Sequence, residues 1–159
     1  MTAHHNQEIA GLHALAGHLI RRCKQKSTYY FNEAAGAAGI TAVQYAVMTV
    51  LHAVPDLDQA QVSEYSALDA STTGEVVERL VGRGWCITTR SGRRRLVRLT
   101  AEGTRRFEEV KPRVENIQRE TLAPLTAREQ AQLLRLISKL VGVENVHYRA
   151  RSKRSRVPW

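Results

Sequence analysis

The stretch from Asp69 to Gly103, DASTTGEVVERLVGRGWCITTRSGRRRLVRLTAEG, constrains the chain more than any other, because a helix signal and a hairpin signal stand back to back in it. Asp69, Ser71, Thr72 and Thr73 are residues that accept hydrogen bonds from the unpaired amides of a helix start, and Val76, Val77, Leu80 and Val81 follow at helical spacing. One face of this helix is therefore expected inside. The other face, with Ser71, Thr72, Glu75 and Arg79, is small and polar enough at its start to approach a base edge. Gly82 and Gly84 end the helix. Trp85 to Arg90 and Arg93 to Thr100 then read as two extended runs separated by Ser91-Gly92, a hairpin with Arg90, Arg93, Arg94 and Arg95 around its turn. Guanidinium groups clustered there reach phosphates or a narrow minor groove.

A plainer account of these residues is capping alone and a solvated basic hairpin. Charge argues against it: 24 Lys and Arg face 15 Asp and Glu, for a net charge of +9 and a pI near 10.2, and a polyanion is the simplest partner for such a surface. Ser71, Thr72, Thr73, Glu75, Arg79, Arg90, Arg93, Arg94 and Arg95 are thus the candidate contacts to double-stranded DNA. The 159 residues suffice for one structural unit with a core. No apolar run is long enough to span a bilayer, and MTAHHNQEIAG is not a secretory signal, so a cytoplasmic, nucleoid-associated protein with no membrane partner is expected. Cys23 and Cys86 make neither a disulfide framework nor a zinc set, and His4, His5, His13, His18, His52 and His147 show no ligand spacing. With no nucleophile elbow, P-loop or dinucleotide fingerprint, the expectation is no metal, no cofactor and no enzyme.

The flanks read as helices. From Ile9 to about Ala35, Ile9, Leu12, Ala16, Leu19, Ile20, Cys23 and Tyr30 share one side, a seam too long for a small domain to cover and so in part a dimer interface. Gly36 and Gly39 break it. Thr41 caps a helix with Val43, Ala46, Val47, Val50 and Leu51 inward, and Pro55 stops it. Asp58 caps a short helix through Ala67 that packs through Ala60, Val62 and Tyr65, and the reading helix follows, making a helix-turn-helix. Beyond the hairpin, Thr100 caps a helix with Phe107, Val110, Val114, Ile117 and Thr121 at spacings of three and four, which Pro112 should bend. Pro124 closes it, Thr126 and Glu129 form a capping box, and Leu133, Leu134, Ile137, Leu140 and Val141 define a last helix. Five basic residues, Arg149, Arg151, Lys153, Arg154 and Arg156, mark a tail that either attracts phosphate or is simply disordered.

In this order of elements the chain resembles, over nearly its whole length, the MarR family of winged helix-turn-helix transcription regulators. The phrases that carry the resemblance are ITAVQYAVMTVLHAVP, LDQAQVSEYSALDASTTGEVVERLVGRGWC and RRRLVRLTAEG. It implies a mainly α fold with a small β-wing, in which a winged helix-turn-helix domain is flanked by N- and C-terminal dimerisation helices. The expected segments are a dimerisation helix over 1–36, the DNA-binding region over 40–103, C-terminal dimerisation helices over 104–147 and the basic tail over 148–159. It further implies a homodimer on a pseudo-palindromic operator, usually a repressor, released by a small molecule or an oxidant; a catabolic or efflux operon is the expected target. Two departures stand out. Many members carry an acidic residue and two arginines at the wing, where this chain has Ser91, Gly92 and Arg93, so a carboxylate that orients an arginine is missing. Many have a basic residue where this chain has Glu75, a carboxylate suited to accept from a cytosine amino group and so to specify rather than anchor.

Family pockets lie between the dimer helices and the winged domain. Leu15, His18, Arg22 and Tyr29 fall within about 60° of one another on the first helix by its 3.6-residue period. With Tyr45 they make a candidate site for a small anionic aromatic effector, Arg22 pairing a carboxylate, His18 donating to an oxygen and a tyrosine packing on the ring. The competing account is an ordinary amphipathic edge with a solvated arginine. Cys23, beside Arg21, Arg22 and Lys24, offers a thiol-based oxidant sensor as the alternative signal, against its reading as a small seam residue. A nonspecific architectural nucleic-acid-binding protein is the other alternative, since charge and wing alone would serve it.

Overall fold

The computed structural model describes residues 11–143. Ile9, His4, His5, His147 and the five basic residues of the tail lie outside them. The chain divides into two compact units, one ending at Thr121 and one beginning at Leu122.

In the first unit the long N-terminal helix is interrupted. Residues 11–14 form a helical turn, Leu15 is extended (φ −76°, ψ 123°), and α1 runs Ala16–Ala35. No side chain caps α1, and Gly17 in its first turn is a poor helix former, so little holds it to the turn before. The seam expected to run unbroken from Ile9 is therefore cut at Leu15. A 3₁₀ turn, Gly36–Ala38, and Gly39 in the left-handed region (φ 66°) then turn the chain.

Helix α2, Ala42–Ala53, begins at a capping box between Thr41 and Gln44. Its buried face is Gln44, Val47, Met48, Val50 and Leu51. Val43, expected inside, is exposed, and Ala46 is half-buried. The capping box is why a glutamine lies inside: Oε1 of Gln44 accepts the Thr41 amide at 3.0 Å. Strand β1, Leu57–Asp58, leads straight into α3, Gln59–Ser66, through a second capping box, Asp58 with Gln61. Only Val62 of α3 is buried; Ala60 and Tyr65, expected to pack, are exposed. Ala67 turns left-handed (φ 53°), and α4, Ala70–Gly82, starts at Asp69.

Strands β2, Cys86–Ser91, and β3, Arg94–Leu99, form the hairpin, and β1 adds a third antiparallel strand beside β3 in the order β1-β3-β2. Sequence periodicity indicates only the two hairpin strands. The turn also sits one residue later than expected, on Gly92 and Arg93, because Ser91 pairs with Arg94. Gly92 takes a positive φ of 60° at the first central position, where a type II′ turn needs glycine. Helix α5, Ala101–Leu122, runs on through Pro112.

The core of this unit joins Phe31 and Ala35 of α1, Met48 and Leu51 of α2, Val62, Val76, Val77, Leu80, Cys86, Val97, and Phe107 and Val110 of α5. Burying a side chain such as Met48 or Leu80 contributes about 1.5–3 kcal/mol, against about 0–1 for an exposed ion pair, so apolar packing and not the surface charges fixes α4 on α3. In the second unit α6, Ala127–Leu140, starts at the Thr126–Glu129 capping box and has no buried residue. Leu134, Ile137 and Leu140 stand exposed on it, and the Gln130 amide is tied to the Leu122 and Leu125 carbonyls.

Candidate nucleic-acid interface

The start of α4 is fixed by Asp69. Its Oδ1 accepts the Thr72 amide at 2.8 Å and its Oδ2 the Thr72 hydroxyl at 2.6 Å, and these bonds hold its carboxyl below the usual range. Thr72, half-buried, thus donates inward and keeps lone pairs and a methyl group for a partner. Ser71 is exposed beside it. Thr73 is not available. It is fully buried and its hydroxyl donates to the Asp69 carbonyl at 2.8 Å, so it belongs to the helix start and not to the exposed face. The reason is rotational: Thr73 lies on the same side as Val76, Val77 and Leu80. Glu75 and Arg79 are both exposed and pair across one helical turn at 3.5 Å. From α3, the Gln59 side-chain amide donates to the Ala70 carbonyl at 3.2 Å and lies where a Cβ on Gly74 would meet it at 3.0 Å. That close approach seats α4 against α3.

On the hairpin, Arg90 lies directly opposite Arg95, with Thr88 opposite Val97 and Cys86 opposite Leu99 further in. Side chains alternate along a strand, so Arg90 and Arg95 continue the core-facing side out to the tip, while Arg94 shares the other side with Leu96 and Arg98. Arg93 is in the turn. Arg90, Arg93, Arg94 and Arg95 are all exposed, and with Thr88 and Thr89 they line a depression of ≈ 360 Å³. Two like charges opposed across a ladder repel, and among the described residues neither Arg90 nor Arg95 is paired with a carboxylate. Arg94 has one: its Nη1 is 3.9 Å from Oδ2 of Asp58. That carboxylate belongs to the cap of α3 and not to the hairpin. The sequence shows Asp58 as a cap; its place beside Arg94 depends on β1, a strand of two residues that no periodicity reveals.

The effector candidates are only partly brought together. Leu15, in the extended link before α1, is exposed, as are Arg22 and Tyr29 on α1, Tyr29 edge-on to Tyr30. The His18 ring is more shielded: Arg21 approaches its Nδ1 at 3.3 Å, and its Nε2 is covered without a partner among the described residues. Burial, then Arg21, His13 and Arg22, lower its pKa; with Arg21 donating to Nδ1, the proton of the neutral ring is assigned to Nε2. Tyr45 stands apart. It is stacked on Phe107 at 5.3 Å and edge-on to Phe31, and burial raises its pKa, so its ring is engaged away from the other four. A groove of ≈ 500 Å³ between α1 and α5, lined by Tyr30, Glu33, Arg113 and Glu120 among others, includes none of the five. Of the thiols, Cys23 is exposed, whereas burial pushes that of Cys86 up to about 12. Among the described residues no single helix is long and apolar enough to cross a membrane.

A helix-turn-helix whose second helix offers a polar exposed face, followed by an arginine-tipped antiparallel wing, defines a winged helix-turn-helix protein of the DNA-binding kind. Known proteins agree. No protein-family model matches the chain. It is 30% identical over 106 residues to the transcriptional regulator HosA of Escherichia coli, covering 65% of this chain and 78% of that one. It is 28% identical to the transcriptional repressor NicR of Pseudomonas putida, over 79% of this chain and 81% of that one. Among solved structures it superposes on the PcaV regulator of Streptomyces coelicolor with its natural ligand (38% identity, TM-score 0.75, 82% and 94% of the two chains). BpsR of Bordetella bronchiseptica, whose DNA binding is regulated by 6-hydroxynicotinic acid, gives 29% and 0.77 over 80% and 94%. A MarR variant of E. coli complexed with operator DNA gives 27% and 0.74 over 79% and 92%. The chain belongs to the MarR family; it is a DNA-binding transcriptional regulator and not an enzyme.

Proposed function

We propose that the chain binds a pseudo-palindromic operator as a homodimer, represses transcription from it, and is released by a small aromatic acid. The observation that carries this reading is the pairing of an exposed polar face on α4 with a wing tip of four exposed arginines. Leu19 and Ile20 on α1, and Leu134, Ile137 and Leu140 on α6, are uncovered in the single chain, which supports association through both helices. NicR, a repressor by name, supports the sign of regulation, and the operator-bound MarR supports the partner. Such a partner puts the protein in the cytoplasm with the nucleoid. Ser71 and Thr72 then meet a base edge, Glu75 accepts from a cytosine amino group, Arg79 takes a phosphate, and the wing arginines take flanking phosphates or a minor groove.

The test is selection of duplex DNA by the full chain, followed by footprinting and competition. A specific regulator protects two half-sites about 34 Å apart and prefers its site over unrelated DNA by about a thousandfold or more. Equal competition by unrelated DNA, with no half-site spacing, would leave a nonspecific architectural protein instead.

For the effector, 6-hydroxynicotinic acid is the probe, because the BpsR likeness joins a carboxylate on an aromatic ring to this architecture. Arg22 pairs the carboxylate and Leu15 with Tyr29 supplies apolar surface, while the His18 Nε2–H, covered in the single chain, donates only once its cover opens. Tyr45 borders the site only if its stack on Phe107 opens. At a hundred times its dissociation constant the probe raises the unfolding midpoint by about 5–10 °C, and Arg22→Ala removes most of that rise. An equal rise in the variant would remove Arg22 from the site.

A further inference from the structure

The geometry points to Asp58, outside both the reading helix and the hairpin, as the residue that positions Arg94 for DNA, an inference that rests on the wing touching DNA. Leu57 lies opposite Val97 and Asp58 opposite Leu96. Strand alternation puts Leu57 on the buried side with Val97 and Asp58 on the outer side with Leu96 and Arg94. There its Oδ2 stands 3.9 Å from Arg94 Nη1, with the Asp58 side chain 24% exposed and that of Arg94 67%.

What distinguishes this pair from a chance surface contact is how the carboxylate is held. Oδ1 of Asp58 accepts the Gln61 amide at 3.0 Å, and the Asp58 amide donates to Gln61 Oε1 at 3.0 Å. The acid is therefore fixed at the N-cap of α3, the helix whose Gln59 seats α4 through the Ala70 carbonyl. Reading helix and wing arginine are referred to one frame. Among the described residues no other arginine of the wing pairs with a carboxylate, so Arg94 alone has a set direction while Arg90, Arg93 and Arg95 remain free to adapt. A guanidinium carries five donors in a planar fork, so one edge can rest on Asp58 while the other meets a phosphate. Ordering the side chain beforehand reduces the rotamer freedom that binding would otherwise remove.

The sign of the effect separates positioning from mere proximity. A carboxylate that only lies near DNA repels phosphate, so its neutralisation tightens binding; one that positions Arg94 weakens binding when neutralised, in spite of that relief. The experiment uses the full chain and a duplex it selects from a random library, with affinity measured across a salt series for wild type, Asp58→Asn, Arg94→Ala and the double variant. Asparagine caps a helix as well as aspartate, so α3 is retained, and thermal unfolding checks this. Asp58→Asn weakens binding by about threefold, the size an exposed pair allows. Asp58→Glu recovers part of the loss, and the double variant binds no more weakly than Arg94→Ala. Binding by Asp58→Asn as tight as wild type or tighter, while Arg94→Ala weakens it, overturns the role of Asp58 and leaves the wing reading standing. The same loss from Asp58→Asn in the Arg94→Ala background also overturns it. If Arg94→Ala changes neither affinity nor salt slope, both ideas fall together.

Discussion

Gly103→Ala is expected to lower the unfolding midpoint by at least about 5 °C, although alanine is the better helix former. A Cβ built on Gly103 meets the Trp85 carbonyl oxygen at 1.9 Å and its carbon at 2.8 Å, both backbone atoms. That carbonyl cannot swing aside. It accepts the Thr100 amide at 3.0 Å, while the Thr100 hydroxyl donates to the Gly84 carbonyl at 2.7 Å and accepts the Gly103 amide at 3.0 Å. Trp85 is buried, with Arg83 over its ring at 4.8 Å, and Arg83 donates to the Gly39 carbonyl. Moving the start of α5 away from β2 breaks this whole corner. Overpacking costs about 1–3 kcal/mol, and against backbone atoms held this firmly the upper end, about 3, applies; set against about 1 kcal/mol from helix propensity, the clash wins by about 2. Gly82→Ala, which meets nothing within 4 Å, is the control and is expected to be neutral or stabilising. An unchanged or higher midpoint for Gly103→Ala, measured by thermal unfolding, refutes the close approach.

Much of this fold was legible because its signals are local. Thr41, Asp58, Asp69 and Thr126 cap helices within three residues of themselves, and the structure has each cap where the sequence shows it. What escaped was non-local. Strand β1 exists because Leu57 finds Val97, and two residues carry no pattern of their own. Periodicity gives a helix face but not how much of it neighbours cover, which is why Val43, Ala60 and Tyr65 are exposed and Gln44 is buried. The same limit applied at the interface. Thr73 has the chemistry of a contact, but a rotation of one residue from Thr72 turns it into the core. Tyr45 has the chemistry of a ring-packing residue and already uses it on Phe31 and Phe107, brought from α1 and α5.

Replacing Arg93 and Arg94 together by alanine is expected to have the largest effect on DNA binding. Each phosphate that a protein neutralises contributes about 0.9 to the slope of log affinity against log salt, so losing two lowers the slope by about 1.8. At 0.15 M salt the same loss weakens binding by about thirtyfold, an order of magnitude beyond the effect of Asp58→Asn. Part of the loss is expected to arise on the protein itself, because without Arg94 the Oδ2 of Asp58 loses its cationic neighbour. Stability should change by no more than about 0.5 kcal/mol, since both side chains are exposed and neither packs in the core. An unchanged slope and affinity would mean that the wing tip holds no phosphate. The sequence dependence of the loss then tells what the wing reads. Phosphate contacts weaken all duplexes alike and leave preference to the face of α4, where Glu75 and Arg79 stand. A loss confined to sites whose flanks have a narrow A·T minor groove would instead make the wing a reader of shape, with Arg93 at the tip as the inserted group.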